Sequence, residues 1–153
     1  MSRPLVALPG AVAKPVSDRI QIKDSADGLE SFDLLAHGNA VGEALRAALA
    51  RPSAVGAVVL AAASPPTDTA LLERFAALKI PTLVLLGTRD ATVAADSGRR
   101  WRSALPACNV VLIYDAAHDL AAERPQAFAD IVTDFLSDPG AFLVNRRSSA
   151  LQP

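Results

Sequence analysis

The chain has a single cysteine, Cys108, among its 153 residues. One thiol cannot close an internal disulfide, and a zinc site built on cysteines is not expected. Aromatic residues make up only 5% of the sequence, so aliphatic side chains must fill whatever core exists. Neither charge is in excess: the formal net charge is −1, too small to draw the protein onto nucleic acid or an anionic membrane. The nearest thing to a basic cluster is Arg99, Arg100 and Arg102. It has Asp96 beside it and reads as a solvated helix face. No apolar run approaches the length of a membrane span. Near the start, Pro4, Pro9, Gly10, Lys14 and Pro15 interrupt the apolar residues that follow Arg3, which argues against a signal peptide. A cytoplasmic protein with no membrane or nucleic-acid partner is the expectation.

What is abundant is Ala, Val and Leu. Apolar residues account for 51% of the chain and charged ones for 20%, a balance suited to strands covered by helices. The length suits one domain with one sizeable core. Short β-rich apolar runs alternate with segments of helical period. Phe32–Ala36 reads as a strand. From Asn39 to Arg51 the residues Val41, Ala44, Leu45, Ala48 and Leu49 form one helical stripe, ended by Pro52. Val55–Ala63 is a second strand, closed by Ser64-Pro65-Pro66. Leu71, Leu72, Phe75 and Leu78 mark a short helix with Thr67 or Asp68 as its N-cap. Thr82–Leu86 is a third strand, Ala94–Leu105 a helix with Trp101 and Leu105 inward, and Asn109–Tyr114 a fourth strand. The last helix starts near Pro125 and buries Phe128, Ile131, Val132, Phe135 and Leu136.

Strands that are apolar throughout, alternating with helices, predict a mostly parallel α/β sheet of about four to six strands with helices on both faces. The single domain is expected to span residues 1–139. Within 1–30, Leu5–Leu8 and Arg19–Lys23 are strand candidates, and 140–153 reads as a tail. Loops at the carboxyl ends of the strands would form the binding crevice. These are Ala36–Ala40, Ser64–Asp68, Gly87–Val93 and Asp115–Leu120.

Three runs in register carry a family resemblance. FDLLAHGNAVGEALRAALARP resembles the strand, sharp turn and helix of a nucleophile elbow. IPTLVLLGTRDATV resembles the strand that delivers a triad acid after a G-x-x-D turn. NVVLIYDAAHDLAAERPQAFADIVTDFL resembles the last strand, histidine loop and closing helix. Their order is that of the α/β-hydrolase fold, and residues 31–139 resemble its second half, in a shortened three-layer form. The resemblance implies that Asp90 corresponds to the triad acid, His118 to the triad histidine and position 38 to the nucleophile. Position 38 is Gly. The elbow pattern G-x-S-x-G stands here as Ala36-His37-Gly38-Asn39-Ala40, and no acyl-enzyme can form on a residue without a side chain. The Asn39 amide is the one oxyanion donor the resemblance supplies. Leu5–Gly10 only faintly resembles the strand and turn that carry the other donor, and it lacks their histidine.

Other residues read more plainly. His37 is expected to pack. Both histidines with Asp90, Asp115 or Asp119 have no metal-ligand spacing, so neither a metal nor a cofactor is expected. Ser64 has no base predictably beside it, and Cys108 falls at the opposite edge of the sheet. Two functions then compete. One is a non-catalytic hydrolase-like protein that binds a small molecule or a partner in the old crevice. The other is a hydrolase or lyase, acting on an ester or related substrate, in which Asp90 and His118 serve as a general base without a covalent intermediate. A flavodoxin-like phosphate binder would need a glycine-rich loop after the first strand, where only Pro9-Gly10-Ala11 stands. A shortened sheet leaves an unpaired edge strand, so a homodimer is also expected.

Overall fold

The β-rich runs come together in one all-parallel sheet. The computed structural model describes residues 3–10 and 20–142. Ala11, Arg19 and residues 143–153 of the expected tail lie outside those residues. The strands are β1 (Leu5–Ala7), β2 (Ile22–Lys23), β3 (Phe32–His37), β4 (Val55–Ala61), β5 (Thr82–Gly87) and β6 (Cys108–Ile113). They lie in the order β2-β1-β3-β4-β5-β6, every neighbouring pair parallel. The helices are α1 (Val41–Ala50), α2 (Thr69–Ala77), α3 (Ser97–Ala104), α4 (Leu120–Glu123) and α5 (Pro125–Ser137). This is a shortened α/β-hydrolase-like sandwich.

Successive strand residues point to opposite faces, so β1, β3, β4, β5 and β6 each contribute to two cores. Phe32, Leu34, Val58, Leu60, Val84 and Leu86 pack beneath α1, α2 and α3 with Leu45, Phe75 and Trp101. Leu35, Val59, Leu83 and Leu85 pack beneath α4 and α5 with Leu120, Phe128, Val132 and Phe135. Burial on both faces explains why these strands are apolar throughout. Ala141 and Phe142 follow Gly140 onto the second core: Phe142 is buried and meets Phe135 edge to face at 5.4 Å between ring centroids. Among the described residues no helix is long and apolar enough to cross a membrane.

Several elements differ from their sequence expectation for local reasons. Strand β4 stops at Ala61 because Ala62 turns to φ +54° while its amide bonds to the Leu85 carbonyl. Helix α1 begins at Val41, after a 3-10 turn over Gly38–Ala40, rather than at Asn39. Helix α3 begins at Ser97 rather than Ala94. Helix α4 has one buried residue, Leu120, and so leaves no apolar periodicity to read. In α5, Ile131 and Leu136 are only partly buried. Asp68 is the cap of α2, accepting from the Leu71 amide at 3.0 Å. Arg51 closes the lower side of β3. Its guanidinium lies 5.0 Å over the Phe32 ring and donates to the carbonyls of Ala26 and Leu29, holding the loop before β3 against the core.

One core residue is charged. Asp33 sits in β3 and is 3% exposed, with its Oδ1 lacking a hydrogen-bond partner. The pairing of β3 with β4 shifts register between Phe32 and Leu34, so Gly56 and Ala57 both lie opposite Asp33. That bulge turns the Ala57 amide to the Asp33 carboxylate. Burial nonetheless dominates, and despite Arg3 and Ala57 it pushes Asp33 from 3.8 up to about 6. The ionised form is therefore disfavoured in the fold, and stability falls as pH rises from about 4 to about 6. A rise of that size costs about 3 kcal/mol once Asp33 is ionised. Asp33→Asn is expected to recover much of that at pH 8 and to flatten the profile between pH 4 and 6. Denaturant unfolding at pH 4.5 and 8 reads both effects, and a variant no more stable than wild type at pH 8 contradicts them.

Candidate active site

Three chain segments meet above the carboxyl edge of the sheet. The first is the bend after β3. Buried Leu34, Leu35 and Ala36 carry the chain upward to half-buried His37. Gly38 then reverses it with φ +57°, a left-handed conformation that glycine adopts without strain. The Val41 amide bonds back to the Gly38 carbonyl and α1 follows. No side chain caps that 3-10 turn or α1, so their first amides, including that of Asn39, are left at the crevice end of the helix. Asn39 itself is exposed.

The second segment is the turn after β5. Gly87 approaches the histidine loop so closely that a Cβ there would run into the carbonyl oxygens of Ala116 and Ala117. Thr88 and Arg89 donate their amides to the carbonyls of Ile113 (3.1 Å) and Ala116 (2.9 Å). The Thr88 hydroxyl accepts from the Asp115 amide at 2.9 Å. The third segment, the histidine loop, turns at Asp115 with φ +57°. Arg89 pairs with Asp115 at 2.7 Å, and the Glu123 carboxylate accepts from the Ala117 amide at 3.2 Å. Acid turn and histidine loop are thus bonded into one rim.

That rim brings together residues 28 positions apart. His118 Nδ1 lies 2.9 Å from Asp90 Oδ2, with the Asp90 side chain 2% exposed and the His118 side chain 44% exposed. Burial alone would raise Asp90, but hydrogen bonds from the Thr92 hydroxyl, from His118 and from the Thr92 amide outweigh it. Together with the charge His118 can carry, they hold Asp90 below its ordinary 3.8. On the other side of the ring, Nε2 faces Gly38: a Cβ built at position 38 would lie 3.4 Å from it. The sequence-derived trio of Asp90, His118 and position 38 is therefore contiguous.

His37 does more than pack. Its Nε2 lies 2.9 Å from the His118 carbonyl oxygen. A carbonyl can only accept, so His37 carries its proton on Nε2. The two imidazoles meet edge to face at 4.7 Å between centroids. Replacing His37 with Phe keeps the ring and deletes the donor, so a loss of about 1 kcal/mol is expected, read by denaturant unfolding. An unchanged midpoint contradicts that role for the bond.

Thr92 escaped the sequence reading. Its amide and hydroxyl both donate to Asp90 Oδ1, at 2.9 and 2.6 Å, and its Oγ1 lies 2.9 Å from His118 Nδ1. The only available signal was the Asp-x-Thr spacing, which commonly marks an aspartate bonding its own turn.

The remaining candidates fall elsewhere. Ser64 bonds to the buried hydroxyl of Ser97 at 2.8 Å and not to an imidazole or carboxylate. Trp101 is fully buried, its indole N–H donating to the Ala63 carbonyl at 2.8 Å. Cys108 begins β6 at the opposite edge of the sheet. Asp115 is engaged by Arg89. Among the described residues no three His, Cys, Asp or Glu side chains form a group suited to a metal ion.

A parallel sheet whose upper edge carries a sharp bend, a carboxylate turn and a histidine loop, in that chain order, defines an α/β-hydrolase-fold protein. The comparisons agree. Protein ABHD14A of Rattus norvegicus is 39% identical over 64 residues, which are 42% of this chain and 26% of that protein. The chain thus matches about a quarter of that relative's length. Among solved structures, the serine hydrolase of carbazole degradation (CarC enzyme) superposes with a TM-score of 0.71 at 13% identity, covering 89% of this chain and 91% of that one. The predicted CIB-like hydrolase of Thermoplasma acidophilum gives 0.63 at 18% identity, over 72% of this chain and 53% of that one. The epoxide hydrolase of Bacillus megaterium gives 0.59 at 12%, over 72% and 71%. No family model matches the chain. At these identities the structural likeness is one of fold, and the reactions named for these neighbours differ. The chain has the α/β-hydrolase fold.

Proposed function

We propose that this chain uses the crevice of its fold as a non-covalent site. A small molecule bearing a hydroxyl or carbonyl group lodges above Gly38, against Nε2 of His118, and no acyl-enzyme forms there. The observation that carries this reading is the facing of Nε2 onto a residue without a side chain, at 3.4 Å from where a Cβ would be. The imidazole thus has a polar atom directed at position 38, while its other nitrogen is held by Asp90. The Asn39 amide is the oxyanion or ligand donor on the elbow side. The test is an NMR titration with short-chain esters, alcohols and carboxylates in turn. Binding is expected to shift the signals of His118, His37 and Asn39 and to weaken at least tenfold in His118→Ala. Binding that ignores His118 contradicts the reading.

A second reading is favoured by the state of Asp90. A carboxylate held below its ordinary range stays ionised at neutral pH and can stabilise an imidazolium that has taken a proton. In this reading His118 Nε2 deprotonates a water or a substrate O–H or C–H above Gly38, and the protein is a hydrolase or lyase without a covalent step. Any turnover found must then disappear in His118→Ala, since the base is gone.

We also propose that two copies associate along β6. Among the described residues its outer edge has no neighbouring strand, and the large apolar side chains exposed there, Leu112 (43%) and Tyr114 (76%), lie on β6 and just beyond it. Sedimentation at high concentration is expected to show a dimer that Leu112→Lys weakens. A strict monomer contradicts it.

A further inference from the structure

We propose that Thr92 is a positioning residue that fixes the tautomer of His118, and so decides which imidazole nitrogen faces the crevice. This builds on the reading of Asp90 and His118 as an acid–base pair. Thr92 Oγ1 lies 2.6 Å from Asp90 Oδ1, a length typical of a hydroxyl donating to an ionised carboxylate. Without a hydrogen between them, two oxygens that close would repel. The single hydroxyl hydrogen is therefore committed to Asp90, and toward His118 Nδ1, at 2.9 Å, Oγ1 can offer only a lone pair.

Nδ1 consequently faces two acceptors, Asp90 Oδ2 and Thr92 Oγ1, each at 2.9 Å. Neither supplies it with a proton, because Asp90 is held ionised and the Thr92 hydrogen is spoken for. The neutral ring then carries its hydrogen on Nδ1, and Nε2 is left as the bare base directed at position 38. Thr92 also keeps the carboxylate in plane. Its amide and hydroxyl grip Oδ1, so Oδ2 stays turned to the ring. Thr92 acts through the other two residues.

The test is the tautomer of His118, which ring-nitrogen chemical shifts report by NMR at a pH where the ring is neutral. Wild type and Thr92→Ser, which keeps the hydroxyl, are expected to show His118 protonated on Nδ1 almost throughout. In Thr92→Val, the Nε2-protonated share is expected to rise severalfold. Thr92 is exposed, so the valine variant is expected to fold as wild type does. An unchanged tautomer ratio in Thr92→Val overturns the assignment, as does a wild-type ring protonated on Nε2. Asp90→Asn separates this proposal from the reading beneath it. If Asp90→Asn shifts the ratio and Thr92→Val does not, Asp90 acts alone and only the role of Thr92 falls. If neither shifts it, the acid–base pair falls as well.

Discussion

Gly38→Ser is expected to give the protein an esterase activity well above that of the parent. On the proposed reading of Asp90 and His118 as an acid–base pair, the substitution supplies a nucleophile beside that pair. The geometry admits it: the new Cβ would lie 3.4 Å from His118 Nε2, an ordinary contact, and one bond further the hydroxyl comes within hydrogen-bond reach of that nitrogen. The backbone at φ +57° charges a non-glycine residue about 1–2 kcal/mol. A missing nucleophile costs a serine hydrolase about a millionfold in turnover. A missing oxyanion donor costs about a hundred- to a thousandfold, and the resemblance supplies only the Asn39 amide. A gain on the order of a thousandfold over wild type remains. Hydrolysis of p-nitrophenyl acetate, with a burst of p-nitrophenol equal to the protein present, measures it. An inert but folded Gly38→Ser protein means that the crevice has lost more than its nucleophile.

The second large effect is structural. Gly87→Ala places a Cβ against the backbone carbonyl oxygens of Ala116 and Ala117. Backbone cannot step aside as a flexible side chain can, and the neighbouring amides of Thr88 and Arg89 are bonded to the end of β6 and to the same loop. Either the histidine loop moves away from the acid turn or the fold opens. We expect a loss of about 3 kcal/mol or more. Gly140→Ala, whose Cβ would meet, among the described residues, only the Asp138 carboxylate at 3.8 Å, is the control and should stay within about 0.5 kcal/mol of wild type. Thermal unfolding of the two variants side by side checks this. Equal midpoints contradict the close approach.

What the sequence made legible was the local part of this structure. The stripe from Val41 to Ala48 and the apolar runs at Val55, Thr82 and Asn109 each announce their element, because one face of a helix or both faces of a strand are buried. The chain order of elbow, acid turn and histidine loop puts Asp90 and His118 on one rim, and they meet at 2.9 Å. What stayed hidden depends on partners distant in sequence. The bond from His37 to the His118 carbonyl spans 81 residues, and nothing near His37 marks it. Asp33 reads as one more residue of a strand. Its burial against a bulge at Gly56 and Ala57 belongs to the pairing of β3 with β4. Strands β1 and β2, of three and two residues, fall within the candidate runs Leu5–Leu8 and Arg19–Lys23, too short for periodicity to do more than suggest them. Gly87 was visible as part of a G-x-x-D turn, but its reason, the carbonyls of another loop, was not.

One measurement goes to the centre of the account. A fluorophosphonate ester phosphonylates an imidazole-activated serine, whose oxygen displaces fluoride from phosphorus as the hydroxyl proton passes to the imidazole, and intact mass shows each adduct. Wild type should remain unlabelled, Gly38→Ser should gain one adduct, and Gly38→Ser combined with His118→Ala should gain none. Labelling of the wild-type chain would place a working nucleophile elsewhere, and equal labelling with or without His118 would mean that this imidazole does not command the space above residue 38.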